Sequence, residues 1–96
     1  MLKTRKFDVI NYLKTEEDIK EYLDVVIEKK DYTYLPVALA DIARARKAMT
    51  AAAKAAGVTR TNLYQSLSKE GRPAFDTVAK VAHSLGYRIA LVPVVS

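Results

Sequence analysis

The chain has no cysteine. That excludes a disulfide, a thiolate nucleophile and any cysteine-ligated metal site. It also fits a reducing compartment, and a cytoplasmic location is expected. One histidine, His83, and three glycines leave little for metal or phosphate chemistry; no zinc spacing and no phosphate-binding glycine loop appears. No stretch approaches the run of about eighteen apolar residues that a membrane-spanning helix needs, and the N-terminus has no long apolar run of the signal-peptide type. Two arrangements hint at catalysis, and both have plainer explanations. His83 and Ser84 are neighbours in a helical stretch, so their side chains diverge and do not easily form a nucleophile–base pair. Glu16, Glu17 and Asp18 open a helix, where acids favour the dipole without any metal. No catalytic residue, metal or cofactor is expected.

What the chain does have is an uneven distribution of charge. Its 96 residues suit one domain with a modest core, and the net charge is +5. Residues 1–34 carry seven Lys/Arg and eight Asp/Glu, whereas residues 35–96 carry nine Lys/Arg and only three Asp/Glu. A basic field over the second half attracts phosphate and releases counterions on binding; such an excess can also serve solvation alone.

That basic half contains the stretch that organises the rest, Met49–Leu67. It reads as a short alanine-rich helix, a glycine turn and a second helix, the layout of a DNA-binding helix-turn-helix. Ala52, Ala53 and Ala56 let a second helix cross closely. Gly57 stands where the chain must leave the first helix in a left-handed conformation. Val58 is expected to plug the space between the helices, and Thr59 to cap the second one. Leu63 and Leu67, four apart, share its buried face. A plain helical hairpin with a solvated outer face is the bland alternative.

The remainder reads as further helices around this unit. Met1–Lys6 is a short basic arm and Phe7 a first anchor. Asp8 caps a helical turn through Leu13, with Val9, Tyr12 and Leu13 on one side. Thr15 caps a helix from Glu16 to about Lys30 whose buried stripe is Ile19, Tyr22, Leu23, Val26 and Ile27. Pro36 sits in the first turn of the next helix, which buries Leu35, Leu39, Ile42 and Ala43 and ends in the basic Arg44, Arg46 and Lys47. Ser68–Pro73 is a loop. A helix from Ala74 to Leu85 follows, with Phe75, Val78, Val81, Ala82 and Leu85 inside and Gly86 as its stop. Residues 87–95 are rich in β-branched side chains and read as a strand. A lone strand is unstable in water and needs a partner: the N-terminal arm, the same strand of a second chain, or another protein. No other convincing strand exists in the sequence, so Ile89, Leu91, Val92 and Val94 are expected to pair with a second chain. The expected architecture is all-α, a single domain over 1–96: N-terminal helices over 8–47, a helix-turn-helix over 49–67, a helix over 74–85 and a short C-terminal β-strand over 87–95 for dimerisation.

These residues, taken in order, resemble a known family. Phe7-Asp8, Tyr22-Leu23, Ala43-Arg44-Ala45-Arg46, Thr61-Asn62-Leu63-Tyr64, Gly71-Arg72-Pro73, Phe75-Asp76-Thr77-Val78 and Leu85-Gly86 look like the addiction-module antidote proteins, HigA-like antitoxins with an Xre/Cro-type helix-turn-helix. The resemblance covers Phe7 to about Leu91. It implies a five-helix DNA-binding domain that acts as a homodimer, represses its own operon and neutralises a small toxin of the RelE/HigB kind. Antitoxins often carry a long disordered toxin-binding tail; this chain shows none, so the sequence does not identify the toxin-contact surface. The basic character that the resemblance implies for a ribosome-dependent nuclease toxin makes the acidic N-terminal helix a candidate.

For double-stranded operator DNA, the N-terminal end of the second helix is the part that reaches base edges. Thr59, Arg60, Thr61 and Asn62 lie there. Arg60 suits guanine, and Asn62 or Gln65 suits adenine. Thr50, at the start of the first helix, suits a phosphate, and Lys54, Lys69 and Arg72 suit phosphates as flexible cations. Ser68 lies on the same outer surface. Tyr64 either packs against the helix body with a wet tip or donates its hydroxyl to a phosphate. Two other functions fit the same sequence: a stand-alone Xre-type repressor, and a toxin-inhibiting interaction module with little DNA binding.

Overall fold

The structure is a computed structural model that describes residues 8–95. It holds a short 3-10 helix, Val9–Tyr12, and five α-helices: α1 (Glu16–Glu28), α2 (Leu35–Ala45), α3 (Met49–Ala56), α4 (Arg60–Ser66) and α5 (Phe75–Ser84). The arm Met1–Lys6 and the anchor Phe7 lie outside the described residues.

Local chemistry explains where most helices begin. Asp8 accepts a hydrogen bond from the Ile10 N–H at 3.1 Å and so caps the 3-10 turn. At α1, Thr15 Oγ1 accepts from the Asp18 N–H while Asp18 Oδ2 accepts from the Thr15 N–H, a reciprocal capping box. Pro36 stands in the first turn of α2, where a missing donor does no harm. Thr59 Oγ1 accepts from the Asn62 N–H at 3.0 Å and starts α4.

Helix ends are more varied. α3 closes on Gly57 at φ +75°, with the Val58 N–H donating to the Ala53 carbonyl and the Gly57 N–H to the Lys54 carbonyl, the paired bonds of a Schellman motif. α2 closes with the same two bonds, Ala48 N–H to the Ala43 carbonyl and Lys47 N–H to the Arg44 carbonyl. There the left-handed residue is Lys47, at φ +57°, and Lys30 takes a similar conformation after α1 at φ +58°.

The core runs through the middle of the molecule. α3 packs most extensively on α5 and also touches α2 and α4, while α1 and the 3-10 turn cover α2. Ile42, Leu63, Leu67 and Val81 are its largest wholly buried side chains, with Ile19, Leu39, Met49, Val78 and Leu85 around them. Ala43, Ala52, Ala53 and Ala82 fill the crossings, where small side chains allow close approach.

Several expectations require correction. No strand forms over 87–95: among the described residues there is no second strand, and extended backbone without a ladder partner is not a sheet. Val58 does not plug the helix crossing; it is 39% exposed, because the small alanines already close the gap. Phe75 is 71% exposed. A helical stripe is buried only as far as a neighbour covers it, and α5's first turn is uncovered. Tyr12 and Ile27 also lie outside, leaving Leu13, Ile19 and Val26 as the fully buried residues of their segments. No helix is long and apolar enough to cross a membrane among the described residues.

Candidate nucleic-acid interface

The two leucines of the α4 region set everything else on that surface. Leu63 and Leu67 are wholly buried, which fixes the rotation of α4 about its axis. Arg60, Thr61, Asn62, Tyr64 and Gln65 are thereby left on the outside, together with Thr59 and Ser68. Their availability differs. The Thr59 hydroxyl oxygen already serves as the cap, and the Ser68 hydroxyl donates to the Gln65 carbonyl at 2.8 Å. The side-chain amides of Asn62 and Gln65 have no hydrogen-bond partner among the described residues. The Arg60 guanidinium lies 5.8 Å from the centre of the Tyr64 ring, one helical turn away, so the ring supports the charged fork from one side. Tyr64 is therefore neither a core side chain nor free of partners.

α3 and the loop after α4 flank this surface. Thr50 and Lys54, four apart, are both exposed on α3. The residue before α3 is Ala48, which offers no side-chain cap, so the first N–H groups of α3 are left without one. On the other side, Gly71 turns the 67–74 loop back onto the end of α4. A Cβ at Gly71 would collide with the carbonyl oxygens of Gln65 and Ser66, so only glycine permits that approach. The loop carries Lys69 and Arg72, both exposed.

Charge is redistributed by the tertiary structure. The basic end expected at Arg44, Arg46 and Lys47 is largely neutralised. Arg44 pairs with Asp8 at 3.0 Å and Asp41 at 3.5 Å, and Arg46 pairs with Glu16 at 2.7 Å. Among the described residues, Lys47, Lys54, Arg60, Lys69 and Arg72 have no carboxylate at ion-pair distance. Lys14, Lys29, Lys30 and Arg88 are likewise without one, so unpaired cations occur elsewhere too; what distinguishes residues 47–72 is that five of them lie on or beside α3 and α4.

Two polar clusters escaped the sequence reading. In the first, Tyr34 hydrogen-bonds Tyr22 at 3.3 Å and the Tyr22 hydroxyl donates to Asp41 Oδ2 at 2.6 Å, with Arg44 bridging Asp41 to Asp8. Burial raises the Asp41 carboxyl, against the pull of Tyr22 and Arg44. Burial, then the bond to Asp41, pushes the Tyr22 hydroxyl far up. Asp8 is held low by the Ile10 N–H and by Arg44. The second cluster is centred on Arg46. An aspartate within the apolar run Leu39–Ala43 was the one visible signal of either cluster.

Elsewhere the chemistry is sparse. The Ser84 hydroxyl donates to the Val81 carbonyl at 2.8 Å and His83 is exposed. No group of three or more His, Asp or Glu is arranged to hold a metal among the described residues. Ile89, Leu91, Val92 and Val94, the residues expected to join two chains, are all exposed.

A family model described as "Probable addiction module antidote protein" matches residues 3–93. The chain belongs to this family. An uncharacterized protein of Haemophilus influenzae is 42% identical over 81 residues, which span 84% of this chain and 82% of that protein. No solved structure matches the chain significantly. Membership establishes the class, an addiction-module antidote, and assigns no residue a role.

Proposed function

We propose that this antidote protein is a cytoplasmic, DNA-binding antitoxin of a type II toxin–antitoxin pair, with α3 and α4 acting as an Xre/Cro-type helix-turn-helix. It binds its own operator as a homodimer, represses the operon and neutralises a RelE/HigB-like toxin. The observation that carries the DNA reading is the rotation of α4. Burying Leu63 and Leu67 turns Arg60, Thr61, Asn62 and Gln65 outward together, at the end of a helix that enters a major groove in such motifs. Lys54, Lys69 and Arg72, three of the cations without carboxylate partners, flank it. In this arrangement Arg60 reads guanine and Asn62 or Gln65 reads adenine. Thr50, Lys54, Lys69 and Arg72 hold phosphates, and binding rather than catalysis is the whole activity.

A gel-shift titration on the protein's own promoter tests this. Arg60→Ala and Gln65→Ala are each expected to weaken the specific site by about 1–3 kcal/mol while leaving non-specific binding in place. Arg72→Ala should weaken all sequences alike and lower the salt slope by about one. Equal specific affinity in the folded Arg60→Ala and Gln65→Ala proteins would remove α4 as the reading helix.

A second reading has its own support. Glu17, Glu21, Asp24 and Glu28 form one outward stripe of α1 at helical spacing, and all are exposed. That face suits a basic toxin, and toxin inhibition with little DNA binding would need only this surface. The gel-shift separates the two, since only the first reading requires specific operator binding; charge reversal at Glu21 and Asp24 in a growth-rescue assay tests the α1 face itself, and should abolish rescue without altering any DNA binding.

A further inference from the structure

The segment after α5 starts from a fixed point and then leaves the body. Tyr87 is held by Arg46, whose Nη2 donates to its hydroxyl at 3.1 Å. Ile89 is 41% exposed, whereas Leu91 and Val95 are 96% and 95% exposed. Exposed aliphatic residues in continuous sequence mark an interaction surface.

The order of these residues says what that surface fits. Ile89–Val95 has Val92 at its midpoint. In an extended chain, successive residues turn their N–H and C=O groups to opposite edges. Ala90, Val92 and Val94 keep every donor on one edge. Pro93 removes a donor from the other. Antiparallel pairing of two such segments about Val92 uses the intact edge and places Pro93 outside. The same register sets Ile89 against Val95, Ala90 against Val94 and Leu91 against Pro93, apolar against apolar throughout. A surface that is complementary to itself under a two-fold axis is the signature of an isologous contact.

We propose that two copies of this chain associate by antiparallel pairing of Ile89–Val95, centred on Val92. The proposal rests on the homodimer reading above and supplies its interface. Residues 89, 91 and 95 share one face, on which Leu91 and Val95 are almost fully exposed in the single chain; a two-stranded ribbon needs an apolar face of this kind laid on a helical body for support. At roughly 60–120 Å² per aliphatic side chain, the tails of two copies offer on the order of 1,000 Å², the lower end of a stable interface. Pro93 on the free edge keeps a third chain from adding.

The lack of native cysteine makes the test direct. The full-length Val92→Cys protein, mildly oxidised, should cross-link to itself. Val94→Cys should not cross-link to itself and should cross-link to Ala90→Cys. Val92→Asp places two carboxylates opposite each other and should weaken dimerisation at least tenfold by sedimentation, with unchanged helix content by circular dichroism because Val92 is exposed. A dimeric wild type whose Val92→Asp variant dimerises equally overturns this interface and leaves the homodimer standing; so does self-linking of Val94→Cys as strong as that of Val92→Cys. A monomeric wild type overturns both.

Discussion

Arg46 grips Glu16 across thirty positions of sequence, its Nη2 and Nε donating to the two carboxylate oxygens at 2.7 and 3.1 Å. The same guanidinium donates from Nη1 to the Leu85 carbonyl at 2.6 Å and lies 5.5 Å from the centre of the Tyr87 ring. One side chain at the end of α2 thus ties the start of α1 to the end of α5 and to the root of the tail. Arg46→Met keeps the aliphatic stem and removes every donor. It should lower stability by about 2 kcal/mol, the scale of hydrogen bonds to a charged group. Arg46→Lys should recover only part of this, since an ammonium lacks the planar fork. Glu16→Gln should cost under about 1 kcal/mol, because Glu16 is mostly exposed and water replaces it. Urea midpoints at equal slope measure all three.

The two interface glycines should respond differently to alanine. An added Cβ at Gly57 meets nothing within 4 Å, so Gly57→Ala carries only the left-handed backbone cost, about 1–2 kcal/mol. At Gly71 the methyl meets backbone carbonyls that cannot move independently of α4. Gly71→Ala should therefore shift the loop that carries Lys69 and Arg72. Its mark would be a lower salt slope in DNA binding together with lost stability. Unchanged salt dependence in a folded Gly71→Ala protein would show that the loop's position does not matter to binding.

Lysine at the left-handed positions suggests a gain of stability. Lys47→Gly and Lys30→Gly relieve backbone that a side chain disfavours, and each should add up to about 1 kcal/mol. For a domain of this size that is roughly 4–8 °C in Tm for each kcal/mol. Calorimetry on the single and double variants checks the sign and the additivity.

Acid should unfold the protein through identifiable carboxylates. The Lys14 and Thr15 N–H groups hold Asp18 below its ordinary value, and the Ile10 N–H, followed by Arg44, does so for Asp8. A carboxyl lowered in the folded state gives stability that is complete above the unfolded value of about 3.9. That stability is lost as pH falls through the folded value. Asp41 is raised by burial, so its contribution has the opposite sign: present below about 3.9 and lost as pH rises through the folded value. Urea titrations between pH 2 and 6 should show a shallower acid loss in Asp18→Asn than in the wild type. In Asp41→Asn the opposing limb should disappear and leave a steeper one. Acid profiles unchanged by Asp18→Asn would exclude the capping box as a source of acid sensitivity.

The sequence was most informative where the physics is local. Thr15, Thr59 and Asp8 announced helix starts because a cap acts within three residues. Gly57 announced the end of α3 because its φ requirement is its own. The ends of α1 and α2 were less legible, since lysine takes the position that glycine marks elsewhere. Val58 and Phe75 were misplaced for a non-local reason: each is apolar at a plausible position, and only the neighbouring helices determine whether anything covers it. Arg44 and Arg46 were counted as free basic charge because Asp8 and Glu16 lie more than twenty-five residues away and nothing in the spacing joins them; only Asp41, one helical turn before Arg44, was a partner within local reach.

By itself, the sequence determined the number and order of helices, the buried leucines of α4, and therefore which α4 side chains point outward. Periodicity and caps carry that information within each helix. Only the tertiary structure decided which cations remain unpaired, that Arg46 fixes the root of the tail, that Gly71 brings Lys69 and Arg72 to the end of α4, and that the tail finds no strand among the described residues. Ion pairs, close approaches and ladder partners depend on segments far apart in the sequence, and their meeting is a property of the packed core.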